Sequence, residues 1–326
     1  MNTPKVSVIV PTYNRASLLG TAIESVLAQT FRDLEVVVVD DGSSDATEAL
    51  VRHYEAADAR VRYLAQQHRG ISAAMNTGIR ASRGQYIARV DSDDQWLPQL
   101  LETEVAILEA RPDIGLVYSK GQWAQSDLTP LTDAIGHAPH FPDDTLRSML
   151  WGDPTCNITV VVRRECFDRA GLFDESLSAS EDWDMWLRTA VYYRFHFVDR
   201  VLSLVRGHEG STTGAQSQSF AAFLDLRSRV LDKFFARHDL APEIIAMKTI
   251  AYRNLYVFEG NMWIGAGNRG QAFRAFVRAL RMGGNPAPTL ARIVWFGLAA
   301  RVLGRTRAGR YLMQWDSRRR LRQRTG

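Results

Sequence analysis

The chain has 326 residues, 46% of them hydrophobic and 23% charged, which suits one large or two modest globular domains. Two cysteines, Cys156 and Cys166, are too few for a disulfide framework, no Cys/His spacing suggests zinc, and no apolar run reaches the ~20 residues that cross a bilayer. The formal net charge of +4 hides an asymmetry: residues 1–214 carry 20 Lys/Arg against 30 Asp/Glu, and residues 215–326 carry 20 against 6. The split predicts an acidic catalytic domain over 1–214 and a basic region over 215–326 that faces an anionic surface.

Val6–Val10 is a continuous β-branched run, the pattern of a strand buried on both faces of a parallel sheet. Pro11 stops it, and with no cleavage-like site behind it the run reads as a strand and not a signal peptide. After the loop Thr12–Arg15, apolar residues recur at helical spacing from Leu18 to Leu27. Leu34–Val39 is a second buried strand, ending in Asp40 and Asp41. Ser44 or Asp45 is placed to cap a helix over 46–56, and Val61–Leu64 reads as a third strand. Strand, helix, strand, helix, strand predicts right-handed βαβ units and a parallel sheet, whose ligands bind beyond the carboxyl ends of the strands. Within 67–83, Gly70, Ala73, Ala74, Asn76 and Gly78 suggest a helix approached closely by a ligand or another backbone, or simply packed tightly on the sheet.

Tyr86–Val90 is a short buried strand running into Asp91, Ser92, Asp93 and Asp94. Carboxylates crowded at a strand end repel one another unless a cation sits among them, and oxygen ligands suit Mg²⁺ or Mn²⁺. The alternative is a solvated acidic turn in which Asp93 or Asp94 caps the helix beginning near Leu100. A helix over 101–110 and a strand over 114–118 follow. Residues 122–150, with Pro130, Pro139 and Pro142, read as irregular, a mobile lid or an acceptor-facing insertion. A strand is expected over 157–162, and Ser178–Asp184 opens a helix with Glu181 and Asp182 in its first turn. There the helix dipole favours a deprotonated carboxylate by ~0.3–1 kcal/mol; ordinary capping is the plainer explanation. Phe195–Val205 reads as a final strand pair leading to a loop that holds His208.

Beyond residue 215, helices are expected over 220–238, 244–264 and 270–281, the last two forming one helical hairpin and no repeat array. Leu290–Leu303 is strongly apolar but too short to span, and suits an interfacial helix carrying Trp295 and Phe296. From Arg301 to Arg324 there are nine arginines and one acid, Asp316. Such a tail adds ~1 kcal/mol per basic residue near an anionic leaflet, which predicts a cytoplasmic protein peripheral to the inner membrane face; a docked helix with a solvated tail is the alternative. No nucleic-acid recognition module is present.

VSVIVPTYNR, VVVVDDGSSDAT, GISAAMNTGI, YIARVDSDD and SEDWDMWLR resemble, in that order, the blocks of family 2 glycosyltransferases, over residues 4 to about 213. The resemblance implies an α/β GT-A (Rossmann-like) fold, with a mostly parallel central sheet, helices on both faces and a helical C-terminal region. It implies inverting transfer of a sugar from a nucleotide-diphospho-sugar, UDP-linked most often, to the hydroxyl of a saccharide or lipid-linked acceptor in envelope polysaccharide, lipopolysaccharide or glycolipid synthesis. By the same resemblance Pro11 and Tyr13 hold the base, Asp41 hydrogen-bonds it, and Arg15, Arg69, Asp91 and Ser92 serve the nucleotide. Asp93, with Asp91 and with His208 as a third candidate, would bind Mn²⁺ or Mg²⁺. Asp182, beside Glu181, would be the catalytic base. The Gln-x-x-Arg-Trp motif of processive members is missing, which points to addition of one or a few sugars. Two other readings compete. A sugar nucleotidyltransferase would carry a glycine-rich loop where Pro11–Arg15 stands, and a non-catalytic nucleotide-sugar or scaffold protein would lack one of Asp91, Asp93 or Asp182.

Overall fold

A computed structural model of the chain describes residues 3–207, 220–283 and 290. The chain divides into two compact units, residues 1–149 with 153–215, and residues 150–152 with 216–326.

The first unit is built on a nine-stranded sheet. Its amino-terminal half alternates β1 (Val6–Thr12), α1 (Ala16–Leu27), β2 (Leu34–Asp40), α2 (Thr47–Ala57), β3 (Val61–Ala65), α3 (Ile71–Ala81) and β4 (Tyr86–Arg89). These strands pair in parallel in the order β3-β2-β1-β4, with Val6 opposite Leu34 and Tyr86. Every residue of β1 and β2 is buried. Their many Val, Ile and Leu residues favour this, since burying each such apolar side chain contributes roughly 1.5–3 kcal/mol. Gly78 of α3 sits over Ile9, where a Cβ would come within 2.5 Å of the Ile9 side chain. Tight packing on the sheet explains that glycine. Asn76 is approached by another backbone: its side chain donates to Phe173 O and accepts from Phe173 N, both at 2.9 Å.

The second half of the sheet is mixed. After β5 (Gln95–Trp96) and α4 (Leu100–Ala110) come β6 (Ile114–Ala124), β7 (Pro130–Ile135), α5 (Thr145–Trp151), β8 (Val161–Arg163), α6 (Arg164–Ala170), α7 (Glu181–Ala190) and β9 (Arg194–Arg206). The order continues β4-β8-β6-β9-β5, with β7 hydrogen-bonded to β6.

Several expectations change here. Residues 122–150 are not irregular throughout: β6 runs on to Ala124, β7 returns antiparallel to it, and α5 follows. Alternating exposed and half-buried positions in β7 leave no apolar run to read. The strand expected over 157–162 shrinks to Val161–Arg163, because Asn157–Thr159 forms a 3₁₀ turn. The final strand pair is one strand, β9, whose exposed Asp199 and Arg200 occupy a bulge where the register jumps from Val198 to Val201. The helix from Ser178 begins only at Glu181.

The second unit is helical over its described residues: α8 (Phe220–Phe235), α9 (Pro242–Ala246), α10 (Lys248–Gly265) and α11 (Arg269–Arg281). The helix expected over 244–264 breaks at Met247. α10 and α11 pack as a hairpin in which Gly260 leaves no room for a Cβ against Phe276. Gly267, at φ +75°, turns the chain, and Asn268 accepts from Gln271 N to start α11. The apolar and arginine-rich stretch of 291–326 lies outside the described residues. Among the described residues no helix is long and apolar enough to cross a membrane.

Candidate active site

Two families of buried carboxylate occupy opposite edges of the parallel strands. At the amino end of β2, Glu35 accepts from Ser7 Oγ at 2.6 Å and pairs with Arg62 and Arg83, each at 2.8 Å. Its charge is satisfied: burial alone would raise its pKa, but those bonds outweigh it and hold the carboxyl below the usual glutamate value. The carboxyl edge is different: acids accumulate there faster than arginines.

The loops leaving β1 and β2 are stitched to each other. Asn14, at φ +50°, donates its N–H to Ser43 Oγ at 2.9 Å and accepts from Ser44 N at 2.8 Å. Asp45 joins two helix starts, accepting from Ala16 N and Thr47 N, both at 3.0 Å. Asp40 accepts from Ser43 N and from the Tyr63 hydroxyl, each at 2.8 Å.

Asp41 organises the next loop. Its Oδ1 accepts from Gln66 Nε2 at 2.6 Å and Arg69 N at 2.9 Å. Its Oδ2 accepts from Gly70 N at 2.8 Å and lies 2.8 Å from His68 Nδ1. Four partners match the lone-pair capacity of a carboxylate. Gly70 reaches this position at φ +89°, a backbone conformation open to glycine. Pro11 is buried within β1, while Tyr13 is 43% exposed and stacks on the His68 ring. The Arg69 guanidinium pairs with Glu175, which also accepts from Asn76 Nδ2 at 2.9 Å.

Beyond β4 the chain places Asp91, Asp93 and Asp94 in a turn closed by Arg206, the last residue of β9. Arg206 N donates to Asp94 Oδ1 and Arg206 Nε donates to the Asp93 carbonyl, both at 2.8 Å. Asp94 is buried, and burial together with Asp91 and Asp93 holds its carboxyl well above the usual range. The turn does not cap the following helix, since α4 starts after Gln99 without a side-chain cap. Ser92 is buried, whereas Asp91 and Asp93 are half-buried, with Arg15 Nε 4.0 Å from Asp93 Oδ2.

α7 closes the site from the other side. Its orientation is set by its buried face: Trp183 Nε1 donates to Met149 O at 3.0 Å, Trp186 Nε1 to Asn157 Oδ1 at 3.2 Å, and Arg188 Nη2 to Leu172 O at 2.9 Å. Ser180, at φ +59°, turns the chain into the helix. Glu181 is buried, and burial and then Asp182 push it up to about 7 against the pull of Arg89. Asp182 is half-buried, and its Oδ1 accepts from Trp183 N at 2.7 Å. Between the two halves lies Arg89, 7% exposed, whose Nε donates to Asp91 Oδ1 at 2.7 Å and whose Nη1 lies 3.6 Å from Glu181 Oε1.

Loops from β1, β2, β4 and the start of α7 therefore form one continuous edge, through Asp41–His68–Tyr13 and Arg15–Asp93 to Asp91–Arg89–Glu181. His208 lies outside the described residues. Among the described residues no three His, Cys, Asp or Glu side chains form a protein-only metal cage. Two half-buried carboxylates, Asp91 and Asp93, are nonetheless a donor set that fits a hard cation shared with substrate phosphates. Arg89, Arg206, His68 and Glu175 were not singled out in the sequence. The one local signal was an arginine inside the otherwise apolar YIARV strand.

Relatives agree with this architecture. The model of glycosyl transferase family 2 matches residues 7–142. An uncharacterized glycosyltransferase of Rickettsia prowazekii is 30% identical over 245 residues, covering 71% of this chain and 72% of the relative. Among solved structures, residues 1–349 of Staphylococcus aureus TarS in complex with UDP-GlcNAc superpose with a TM-score of 0.66 at 20% identity, covering 85% of this chain and 81% of that one. The mannosyltransferase PcManGT of Pyrobaculum calidifontis, in complex with GDP-Man and Mn²⁺, gives 0.63 at 23% identity, covering 97% and 87%. The GT-A-type sheet, the match over its amino-terminal half and the identity sustained over most of a relative place this chain in glycosyl transferase family 2.

Proposed function

We propose that the first unit transfers a sugar from a nucleotide-diphospho-sugar, a UDP-sugar foremost, to an acceptor hydroxyl with inversion at the anomeric carbon. The observation that carries this reading is the convergence just described, of three strand ends and the start of α7 on one edge. On this reading the base lies near Tyr13 and Asp41, the diphosphate near Arg15 and Asp91–Asp93, and the acceptor near Glu181 and Asp182.

On this reading Asp182 is the general base. It is half-buried in the first turn of α7, and it would take the acceptor proton as the hydroxyl attacks. Arg15 beside Asp93 adds positive charge where the leaving diphosphate gathers negative charge. Asp93, with Asp91, would hold a divalent cation, Mn²⁺ or Mg²⁺, which when bound offsets the leaving-group charge as a Lewis acid. The test is a hydrolysis and transfer screen of UDP-, dTDP- and GDP-sugars with and without Mn²⁺. Turnover of at least one donor supports the reading, and inertness toward all of them removes it.

The basic carboxyl-terminal region is proposed to hold the enzyme at the inner face of the cell membrane, close to saccharide or lipid-linked acceptors of the envelope. The support is its charge, 20 Lys/Arg against 6 Asp/Glu over residues 215–326. Liposome co-sedimentation of the full chain against a chain ending near Asn285 tests it; equal binding removes the membrane role.

A further inference from the structure

We propose that Arg89 is a positioning residue that sets the distance between the donor and acceptor halves of the site, by pinning Asp91 at the end of β4 to Glu181 at the start of α7. The proposal builds on the reading of Asp91 as donor-side and Asp182 as the base.

Three observations carry it. First, Arg89 stands on an interior strand of the sheet: β4 pairs with β1 through Ile9 opposite Arg89, and on its other edge β4 pairs with β8. Second, its guanidinium is buried among acids from two elements far apart in sequence. Nε bonds Asp91 at 2.7 Å, and Nη1 faces Glu181 Oε1 at 3.6 Å, within ion-pair reach but beyond a hydrogen bond. Third, Nη1 is a buried donor that makes no hydrogen bond to the described residues. A buried donor left without a partner is unfavourable, so its place needs a reason, and facing the acid that opens α7 supplies one.

The guanidinium is a rigid planar fork, so the Nε bond to Asp91 also fixes where Nη1 faces Glu181, which a lysine point charge does not do. Asp182 follows Glu181 directly, and Ser180 before them is in the left-handed region. A shift of Glu181 would carry the base with it. A misplacement of about 1 Å lowers turnover by roughly 100-fold without new contacts to the donor. Arg89 therefore acts on chemistry through geometry.

The test is amide hydrogen exchange on the full chain, read at residues 178–184, whose reporters include Asp184 N on Ser180 O. Arg89→Met is expected to accelerate exchange there at least tenfold and to leave β1 and β2 protected. Arg89→Lys, which keeps the charge and loses the fork, is expected to accelerate it at least threefold, and carries the test if Arg89→Met does not fold. Exchange at 178–184 unchanged in the variant that folds overturns the proposal, as does full restoration of protection by lysine. Kinetics give the second readout, with UDP-GlcNAc and GDP-mannose as probes in Mn²⁺. The Kd of Arg89→Lys should stay within threefold of the unmodified chain while kcat falls at least tenfold; equal loss in both overturns positioning. If the unmodified chain binds neither probe, the donor assignment fails, and amide exchange still decides on the bridge.

Discussion

The His68 ring lies over Tyr13 with centroids 4.1 Å apart and planes 23° apart, while its Nδ1 is 2.8 Å from Asp41 Oδ2. A flat ring on Tyr13 that presents a nitrogen to Asp41 is also what a bound uracil would offer through its face and imide N–H. On the proposed reading the imidazole fills the place of the base, and with its side chain 56% exposed it is free to swing out. Stacked aromatic pairs contribute about 0.5–1.5 kcal/mol, so removing the competitor is expected to raise UDP affinity roughly two- to tenfold. Calorimetric titration of His68→Ala with UDP measures this; unchanged or weaker binding means the base lies elsewhere.

Asp182→Asn keeps the shape of the side chain and removes its basicity. Donor binding is expected to be retained while turnover falls roughly 10²–10⁴-fold, the contribution typical of a general base. Single-turnover rates beside equilibrium donor binding separate the two. Normal turnover in the asparagine variant would take Asp182 out of the base role.

Asp93 is reached by Arg15 on one side, and its backbone carbonyl is fixed by Arg206 on the other. Asp93→Asn therefore should leave the loop in place and weaken metal-dependent nucleotide binding, by about tenfold or more in a Mn²⁺ titration with UDP. An identical metal titration counts against Asp93 as a ligand.

Glu104 offers a pH test away from the site. It is fully buried on α4, and burial holds its carboxyl well above 4.5. The folded state then keeps a proton that the unfolded chain releases, so this group lowers stability as pH rises past about 4.5 through its folded value. Glu181, at about 7, acts in the same direction. Urea unfolding at pH 5 and pH 8 should show the unmodified chain losing more stability over that interval than Glu104→Gln. Equal losses would mean that Glu104 is not ionising there.

The parallel half of the sheet was legible because each element carries its own signal. Val6–Val10, Leu34–Val39 and Tyr86–Val90 are short apolar runs with a loop rich in Asp, Asn or Ser behind each, and local steric and burial rules suffice to read them. β7 and the bulged β9 were misread for the converse reason. Half-exposed alternation and an internal Asp199-Arg200 pair look like loops until neighbouring strands supply their hydrogen bonds. The small residues of α3 were visible but ambiguous, and only the arrival of Ile9 and the Phe173 backbone gave Gly78 and Asn76 separate purposes.

By itself the order of residues determined the parallel strands β1 to β4, the acids at their ends and the pair that opens α7, since all of these are written in neighbouring positions. Tertiary structure alone decided partnership: that four loop and ring donors surround Asp41, that Arg206 closes the acidic turn, and that one buried arginine stands between Asp91 and Glu181. Charge pairing under burial depends on distances between segments far apart in the chain, and no local pattern encodes those.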